Sequence, residues 1–207
     1  KEFEKHMAYL AKHHFNVISI SDLVGKLQRK EKIPAKTVVI TIDDGYEDNY
    51  THAFPILKKY KLPAGIFVAT DLIGQFTTAR KGTTMNKLGW SQMEEMLNSG
   101  LIEVFPHSHT HPKLDQLTPE FAEKEVKVSR HTLENQLGKS LPIFAYPYGR
   151  YNREVIEILR NQGFEAAFTV KTGRVHPGDN LFLLKRNSID SKVSFAMFRG
   201  IVRSGRT

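Results

Sequence analysis

Val38-Val39-Ile40-Thr41-Ile42-Asp43-Asp44-Gly45-Tyr46 joins a strand-forming run to a pair of acids. The first five residues are all β-branched and mostly apolar, which predicts a buried strand. Two carboxylates at its end do not stabilise a fold by themselves, because an unpaired buried carboxylate is costly. With Gly45 supplying a tight exit, both acids can reach one pocket. A solvated Asp-Gly turn is the alternative for this stretch taken alone.

A second apolar run, Ile102 to Phe105, leads into Pro106-His107-Ser108-His109-Thr110-His111-Pro112. The flanking prolines favour a strand end and a loop over a helix. Two imidazoles and one carboxylate from the acid pair form a three-ligand set suited to zinc or a similar divalent ion. Such a set leaves a coordination position open, which is typical of catalytic sites. A polar loop that happens to be rich in histidine is the alternative.

A third strand-like run, Pro142-Ile143-Phe144-Ala145-Tyr146, is followed by the turn Pro147-Tyr148-Gly149. Taken alone, it indicates only an ordinary strand and turn. In this order, however, the three motifs resemble the polysaccharide deacetylase family, also called the NodB homology domain or carbohydrate esterase family 4. The resemblance covers nearly the whole chain.

The resemblance implies a role for each motif residue. Asp44, His107 and His111 would hold a divalent metal ion, with Zn²⁺ expected and Co²⁺ or Ni²⁺ as alternatives. Asp43 would be the general base, because a carboxylate outside the metal's coordination keeps a lone pair for the proton.

The same resemblance assigns supporting residues around this pair of acids. The backbone N–H of Tyr148 would face the developing oxyanion, with Pro147 and Gly149 shaping its turn. Ser108 would hold the histidine loop. His109 would point away from the metal and serve packing or support.

Two departures from the family pattern concern the acid and the partner of the base. Most of the family has Arg-x-Pro-Tyr-Gly, whereas this chain has Ala145 in place of that arginine. The family's late Leu-x-His motif corresponds here to Leu183-Leu184-Lys185-Arg186, which contains no histidine. His176, in a nearby Val-His-Pro-Gly segment, is interpreted as a turn residue.

In both departures this chain is similar to one branch of the family, the deacetylases of poly-β-1,6-N-acetylglucosamine in biofilm matrix. In that branch the acid histidine precedes the first helix, a region that would lie before Lys1 here. We therefore expect the proton donor to be missing from this piece, or His6 or another histidine to substitute poorly.

The periodicity of apolar residues predicts strands that alternate with helices, and hence parallel βαβ units. The predicted helices cover residues 3–13, 21–28 (capped by Ser21), 53–60, 90–99, 119–137, 152–162 and 194–202. The predicted strands beyond the motifs cover residues 17–20, 64–69, 166–170 and 182–184, and residues 74–87 are predicted to be an irregular loop. Trp90 is interpreted as a core residue. Periodicity leaves an open sheet or an incomplete barrel as alternatives; the resemblance implies a distorted (β/α) barrel of about seven strands, with the site at the strands' carboxyl ends.

Length and composition fit one catalytic domain over residues 1–207, trimmed at its N-terminus. The formal net charge is +8, but no stripe of aromatic and basic residues indicates nucleic-acid binding. The basic surface instead fits an anionic cell wall or membrane surface. The chain has no cysteine, which excludes disulfides and thiolate metal sites. We expect a monomeric, extracytoplasmic bacterial protein, secreted or attached to the cell surface, whose export signal is not in this piece.

Three functions remain open from the sequence. The first is a metal-dependent N-deacetylase of an N-acetylglucosamine polymer, most like those acting on poly-β-1,6-N-acetylglucosamine. The second is a related enzyme acting on peptidoglycan, chitin or a small cyclic amide. The third is a non-catalytic glycan-binding relative, motivated by the missing acid histidine, although Asp43 argues against it because a binding module needs no base.

Overall fold

The structure is a computed structural model that describes residues 1–78, 82 and 84–204. Helices and strands alternate over most of this length, as predicted. The helices are α1 (Glu2–Lys12), α2 (Ile20–Gln28), α3 (Phe54–Tyr60), α4 (Trp90–Asn98), α5 (Pro119–Leu137), α6 (Arg153–Asn161) and α7 (Phe195–Ser204). The strands are β1 (Asn16–Val17), β2 (Thr37–Val38), β3 (Thr41–Ile42), β4 (Ala64–Val68), β5 (Phe76–Thr78), β6 (Thr84–Asn86), β7 (Ile102–Pro106), β8 (Ile143–Ala145) and β9 (Ala166–Phe168).

The parallel strands form three separate ladders in place of one closed sheet. These ladders are β1-β2, β3-β4-β7 and β8-β9, while β5 and β6 form an antiparallel pair outside them. β7 lies against β8 without a ladder between them. The seven parallel strands of the described residues therefore agree with a distorted, incomplete (β/α) barrel.

The run from Val38 to Ile42 is not one buried strand, so that prediction is wrong. β2 pairs with β1, whereas β3 pairs with β4 on the other side, and Val39 and Ile40 lie between the two short strands. Most of the run is only half-buried. The β-branched composition correctly predicts the extended conformation. Which strand pairs with each half of the run, however, depends on residues far away in sequence.

The start of α2 also differs from the prediction. Ser19, and not Ser21, is the N-cap, because the Ser19 side chain accepts a hydrogen bond from the backbone N–H of Asp22 at 3.0 Å. Ile20 is therefore the first residue of the helix and does not belong to a strand over residues 17–20.

Two further segments differ from their predicted structure. A 3₁₀ turn, Leu181–Leu183, replaces the strand predicted over residues 182–184, and only Leu184 forms a parallel bridge, with Phe168. The segment predicted to be an irregular loop contains β5 and β6; its residues 79–81 and 83 lie outside the described residues.

The core consists of two apolar clusters, a larger one and a smaller one. The larger cluster packs α1 to α4 around β4 and β7, and it includes Met93 and Met96, with Trp90 packed against it. The smaller cluster lies between β8, α5 and α6 and includes Ala122 and Val126 of α5. Among the described residues, no helix combines the length and the apolar character needed to span a membrane.

Candidate active site

The acid pair lies directly after β3, in a turn whose backbone is left-handed. Asp44 has φ of +71° and Gly45 has φ of +58°. A Cβ atom at Gly45 would lie 2.7 Å from Cγ1 of Val68, so the turn requires glycine for space as well as for its backbone conformation. The turn brings both carboxylates to the carboxyl end of the strand.

The histidine loop continues β7 and bends twice through left-handed residues. Ser108 has φ of +65° and His111 has φ of +63°. The Ser108 hydroxyl accepts a hydrogen bond from the backbone N–H of His111 at 3.0 Å. This contact fits the role expected of Ser108, because it fixes the two histidines of the loop relative to each other.

Glu125 of α5 supports the same loop and was not identified from the sequence. Its carboxylate accepts hydrogen bonds from the backbone N–H groups of His109 (2.9 Å) and Thr110 (2.8 Å), and from the Thr110 hydroxyl (2.7 Å). One acid therefore satisfies three donors of the loop. The only sign of this support in the sequence was an acidic residue on the helix that follows the histidine loop.

His109 points away from the other two histidines. Its Nδ1 lies 2.9 Å from the Thr70 hydroxyl, and its Nε2 lies 3.8 Å from a carboxylate oxygen of Asp71. It therefore ties the loop to the segment after β4, as expected for a supporting residue.

Asp44, His107 and His111 form a group that could hold a metal ion. Their ligand atoms all lie within 4.8 Å of one another. Oδ1 of Asp44 is 3.1 Å from Nε2 of His111 and 3.6 Å from Nε2 of His107. Because three different side chains from two strand ends converge at this point, the arrangement matches a three-ligand site with room for a further ligand.

The protonation states in this group also suit a metal. Burial lowers the pKa of His107, and its Nδ1–H donates to the carbonyl oxygen of Ala145 at 2.7 Å, which leaves Nε2 as the ligand atom. Burial alone would raise the pKa of Asp44, but the hydrogen bond from His111 and nearby positive charge, including that of Lys87, outweigh it, so the net shift is downward. A neutral imidazole and an ionised carboxylate are the forms that bind metals, so these residues fit a divalent ion.

Asp43 lies outside this group and pairs with Arg186, a contact that the sequence did not reveal. Nη1 and Nη2 of Arg186 donate to the two carboxylate oxygens of Asp43 at 2.7 and 2.8 Å. The guanidinium also donates to the carbonyl oxygen of Thr169 (2.9 Å) and to the Thr41 hydroxyl (3.2 Å). Arg186 therefore lies beside Asp43, where the resemblance implies an arginine that Ala145 replaces in the third motif.

The Pro147–Gly149 turn brings Tyr148 beside the metal group. Tyr148 has φ of +58°, and its ring packs edge-on against His111 at 4.7 Å between centroids. Gly149 is required here, since a Cβ atom would lie 2.3 Å from Cγ2 of Val170. Pro147 is buried, whereas Tyr148 is 56% exposed, so the tyrosine forms the rim of the site.

His6 and Asp43 line the same wide groove. His6 stacks on Phe198 at 4.0 Å, and among the described residues its buried Nε2 has no hydrogen-bond partner. His176, by contrast, lies in a turn closed by Asp179, whose carboxylate accepts the backbone N–H of His176 at 2.9 Å. The structure thus agrees with the turn interpretation of His176, and the identity of the acid stays a prediction.

The chain belongs to the polysaccharide deacetylase family. The family model described as polysaccharide deacetylase matches residues 30–167, two thirds of the chain, and this range includes all three motifs but not the first two helices or the C-terminal part of the fold. Relatives and solved structures agree with this assignment and confirm the predicted family, the NodB-type fold and an enzyme class that acts on amide bonds.

Three of the similar proteins illustrate how far the likeness extends. YxkH of Bacillus subtilis, named as a candidate polysaccharide deacetylase, is 31% identical over 204 residues, which cover 99% of this chain and 70% of YxkH. The poly-β-1,6-N-acetyl-D-glucosamine N-deacetylase of Staphylococcus epidermidis is 29% identical over 194 residues, 90% of this chain and 65% of that enzyme. The solved structure of the Streptococcus pyogenes deacetylase PplD with acetate has a TM-score of 0.84 at 28% identity, and the match covers 96% of this chain and 84% of PplD. This chain thus spans just under two thirds of the staphylococcal enzyme.

Proposed function

We propose that this domain is a metal-dependent N-deacetylase of poly-β-1,6-N-acetylglucosamine. One observation carries the proposal: the Asp44, His107 and His111 group lies beside an aspartate, Asp43, that is held by both terminal nitrogens of the Arg186 guanidinium. The choice of polymer is supported by the staphylococcal relative, whose name specifies that substrate.

Asp44, His107 and His111 are the residues that would hold the divalent ion, for which Zn²⁺ is the first candidate. When bound, such an ion polarises an acetyl carbonyl and lowers the pKa of water to about 7. His107 presents Nε2 to this position because its other nitrogen is engaged by Ala145. The ring of His111 is backed by Tyr148, which limits its rotation.

Asp43 is the general base in this proposal. Arg186 engages one lone pair on each carboxylate oxygen, and the remaining lone pairs are free to accept the proton of the attacking water. The Asp43 side chain is 31% exposed, so water can reach it. The backbone N–H of Tyr148 would stabilise the oxyanion that forms when the acetyl carbonyl is attacked.

The leaving amine also requires a proton, and the donor belongs to the proposal as well. A histidine before Lys1 is the expected donor, and His6 is the alternative within this chain. His6 lies in the groove that reaches Asp43, and burial lowers its pKa. Because a lowered pKa favours the neutral imidazole, His6 would be a poor acid at neutral pH.

Acetate release from β-1,6-linked N-acetylglucosamine oligomers in the presence of Zn²⁺ tests the proposal. The matched controls are Asp43→Asn, which removes the base, and chitin oligomers and peptidoglycan, which change the glycan. The assay includes a version of the chain extended by the residues encoded upstream. Release that is lost in Asp43→Asn and is weaker on the other glycans supports the proposal. No release from either version with bound metal refutes the activity, and preferred release from chitin or peptidoglycan refutes the polymer.

The setting of the reaction follows from the same proposal. A matrix polysaccharide lies outside the cell, so the protein would be extracytoplasmic, secreted or attached to the cell surface. The basic charge of +8 would favour an anionic wall or membrane surface. A monomer suffices, because every residue assigned a role in the metal group and the base belongs to one chain. Cell fractionation and light scattering test these two points.

A further inference from the structure

A short segment, residues 86–88, runs alongside the acid turn and is joined to it by two backbone hydrogen bonds. The backbone N–H of Glu47 donates to the carbonyl oxygen of Asn86, and that of Leu88 donates to the carbonyl oxygen of Gly45, both at 2.9 Å. Tyr46 and Lys87 form an isolated antiparallel bridge between these contacts. The acid turn is therefore supported by a segment about 40 residues further along the chain.

The side chain of Lys87 returns from this segment to the turn. Its Nζ donates a hydrogen bond to the carbonyl oxygen of Asp44 at 2.9 Å and lies 3.5 Å from the centre of the Tyr46 ring. Lys87 is only 6% exposed. Burial of an ammonium group is costly unless specific contacts compensate for it, so this residue is unusual as a mere surface lysine.

The hydrogen bond matters because Asp44 has to keep an unfavourable backbone conformation. A left-handed backbone is disfavoured for residues with a Cβ atom, although aspartate tolerates it better than most. The carbonyl oxygen of Asp44 is the group that rotates when this φ,ψ pair relaxes, and Lys87 holds that oxygen. The same backbone orientation keeps the Asp44 carboxylate 3.1 Å from Nε2 of His111.

We propose that Lys87 is a positioning residue for the metal ligand Asp44. It acts through the Asp44 backbone and does not itself touch the metal position or the substrate. The inference rests on the proposed metal site. Residues that orient metal ligands typically contribute about 10- to 100-fold to metal affinity, and we expect an effect of this size.

Metal affinity measured directly gives the test. Zn²⁺ dissociation constants, obtained by competition with a chromophoric chelator, are compared for wild type, Lys87→Met and Lys87→Arg, with apo-protein melting temperatures recorded alongside. Lys87→Met keeps the apolar stem and removes the donor and the charge, and we expect its dissociation constant to rise about 10- to 100-fold. Lys87→Arg retains a cationic donor and is expected to restore part of the affinity.

Asn86→Ala is the matched control. Asn86 belongs to the same segment and its side chain donates to Glu47 of the same turn at 2.9 Å, but it does not contact Asp44. We expect this variant to bind Zn²⁺ within threefold of wild type. Equal loss in both variants would mean that the turn is loosened in general, which overturns the assignment of Lys87.

A wild-type dissociation constant in Lys87→Met also overturns the inference, whether or not the melting temperature of the apo protein falls. If Lys87→Met does not fold, Lys87→Gln carries the same expectation and the same refutation. The outcome is separable from the proposed activity, because zinc affinity is read without substrate. Wild type that binds zinc but releases no acetate refutes the deacetylase proposal and leaves this inference standing.

Discussion

Replacing Arg186 by methionine should disable the base without removing it. Four hydrogen bonds leave with the guanidinium, two of them to Asp43. A hydrogen bond to a charged group contributes about 1.5–3 kcal/mol. We take the orientation of Asp43 to depend on one such bond. Because a tenfold change in rate corresponds to about 1.4 kcal/mol, kcat/KM for acetate release should then fall about 10- to 150-fold.

The upper limit of this effect is set by removing the base itself. Asp43→Asn should cost about 10²- to 10⁴-fold, the usual contribution of a general base. In the Asp43→Asn background, Arg186→Met should add less than about threefold, because the carboxylate that it orients is already gone. Arg186→Lys should fall between wild type and Arg186→Met, since an ammonium group cannot make both bonds of the fork.

Stability is measured in parallel by urea unfolding. The Arg186 side chain is 12% exposed and that of Asp43 is 31% exposed, so water replaces part of the lost contact, and we expect a loss of about 1–3 kcal/mol.

Arg130→Met is the matched control, because Arg130 also forms a partly buried ion pair, with Glu134 at 2.8 Å, away from the metal group. A similar loss of kcat/KM in both variants, or a loss below threefold in Arg186→Met, would refute the orienting role.

Three further predictions concern the metal group, its loop and the buried His6. His111→Ala should abolish stoichiometric Zn²⁺ binding, and chelation of wild type should stop acetate release until Zn²⁺ is returned; retained binding in calorimetry would contradict the ligand set. Glu125→Ala should lower the free energy of unfolding by about 2 kcal/mol, because three donors of the histidine loop lose their acceptor; an unchanged urea midpoint would contradict this. Burial lowers the pKa of His6 below its unfolded value of about 6.5, so the unfolded state binds the proton first and stability falls as the pH drops through that value. His6→Phe should therefore lose less stability than wild type between pH 7.5 and 5.5, and equal slopes of the midpoint against pH would rule out His6 as the source.

The proposed base and two of the three proposed metal ligands could be found from sequence because each follows a strand within one or two residues, and His111 follows in the same short loop as His107. Asp43, Asp44 and His107 come directly after apolar runs, and parallel strands bring such positions to one edge of the sheet. Local sequence therefore encoded where these side chains lie, and the resemblance supplied which role each would take.

Arg186 could not be found in this way. It lies 143 residues after Asp43, and no local pattern connects the two. Its approach depends on the bridge between Leu184 and Phe168, formed by a residue that follows a 3₁₀ turn where a strand was expected. The sequence showed only that the family arginine was absent from the third motif. Whether another arginine lies beside Asp43 depends on the tertiary structure.

The broken run at Val38 to Ile42 has the same kind of cause. β-branched residues favour extended backbone, but which strand pairs with which half of the run is set by β1 and β4, elsewhere in the chain. The helices were more predictable, since α5 and α6 carry their own start and stop signals, such as the Asn152 cap and the left-handed Gly138.

The left-handed backbone at the site has a consequence for attempts to evolve this domain. Four of the eight non-glycine residues with positive φ in the described chain are Asp44, Ser108, His111 and Tyr148. Glycine would relieve about 1–2 kcal/mol of strain at each, offset by roughly 0.5–1 kcal/mol of chain entropy. A library selected only for heat resistance would therefore tend to accept glycine at these positions, although the proposed chemistry needs the side chains of Asp44 and His111 for the metal and that of Ser108 for the histidine loop. Selection therefore has to include enzymatic turnover, because selection for stability alone would lead to loss of activity.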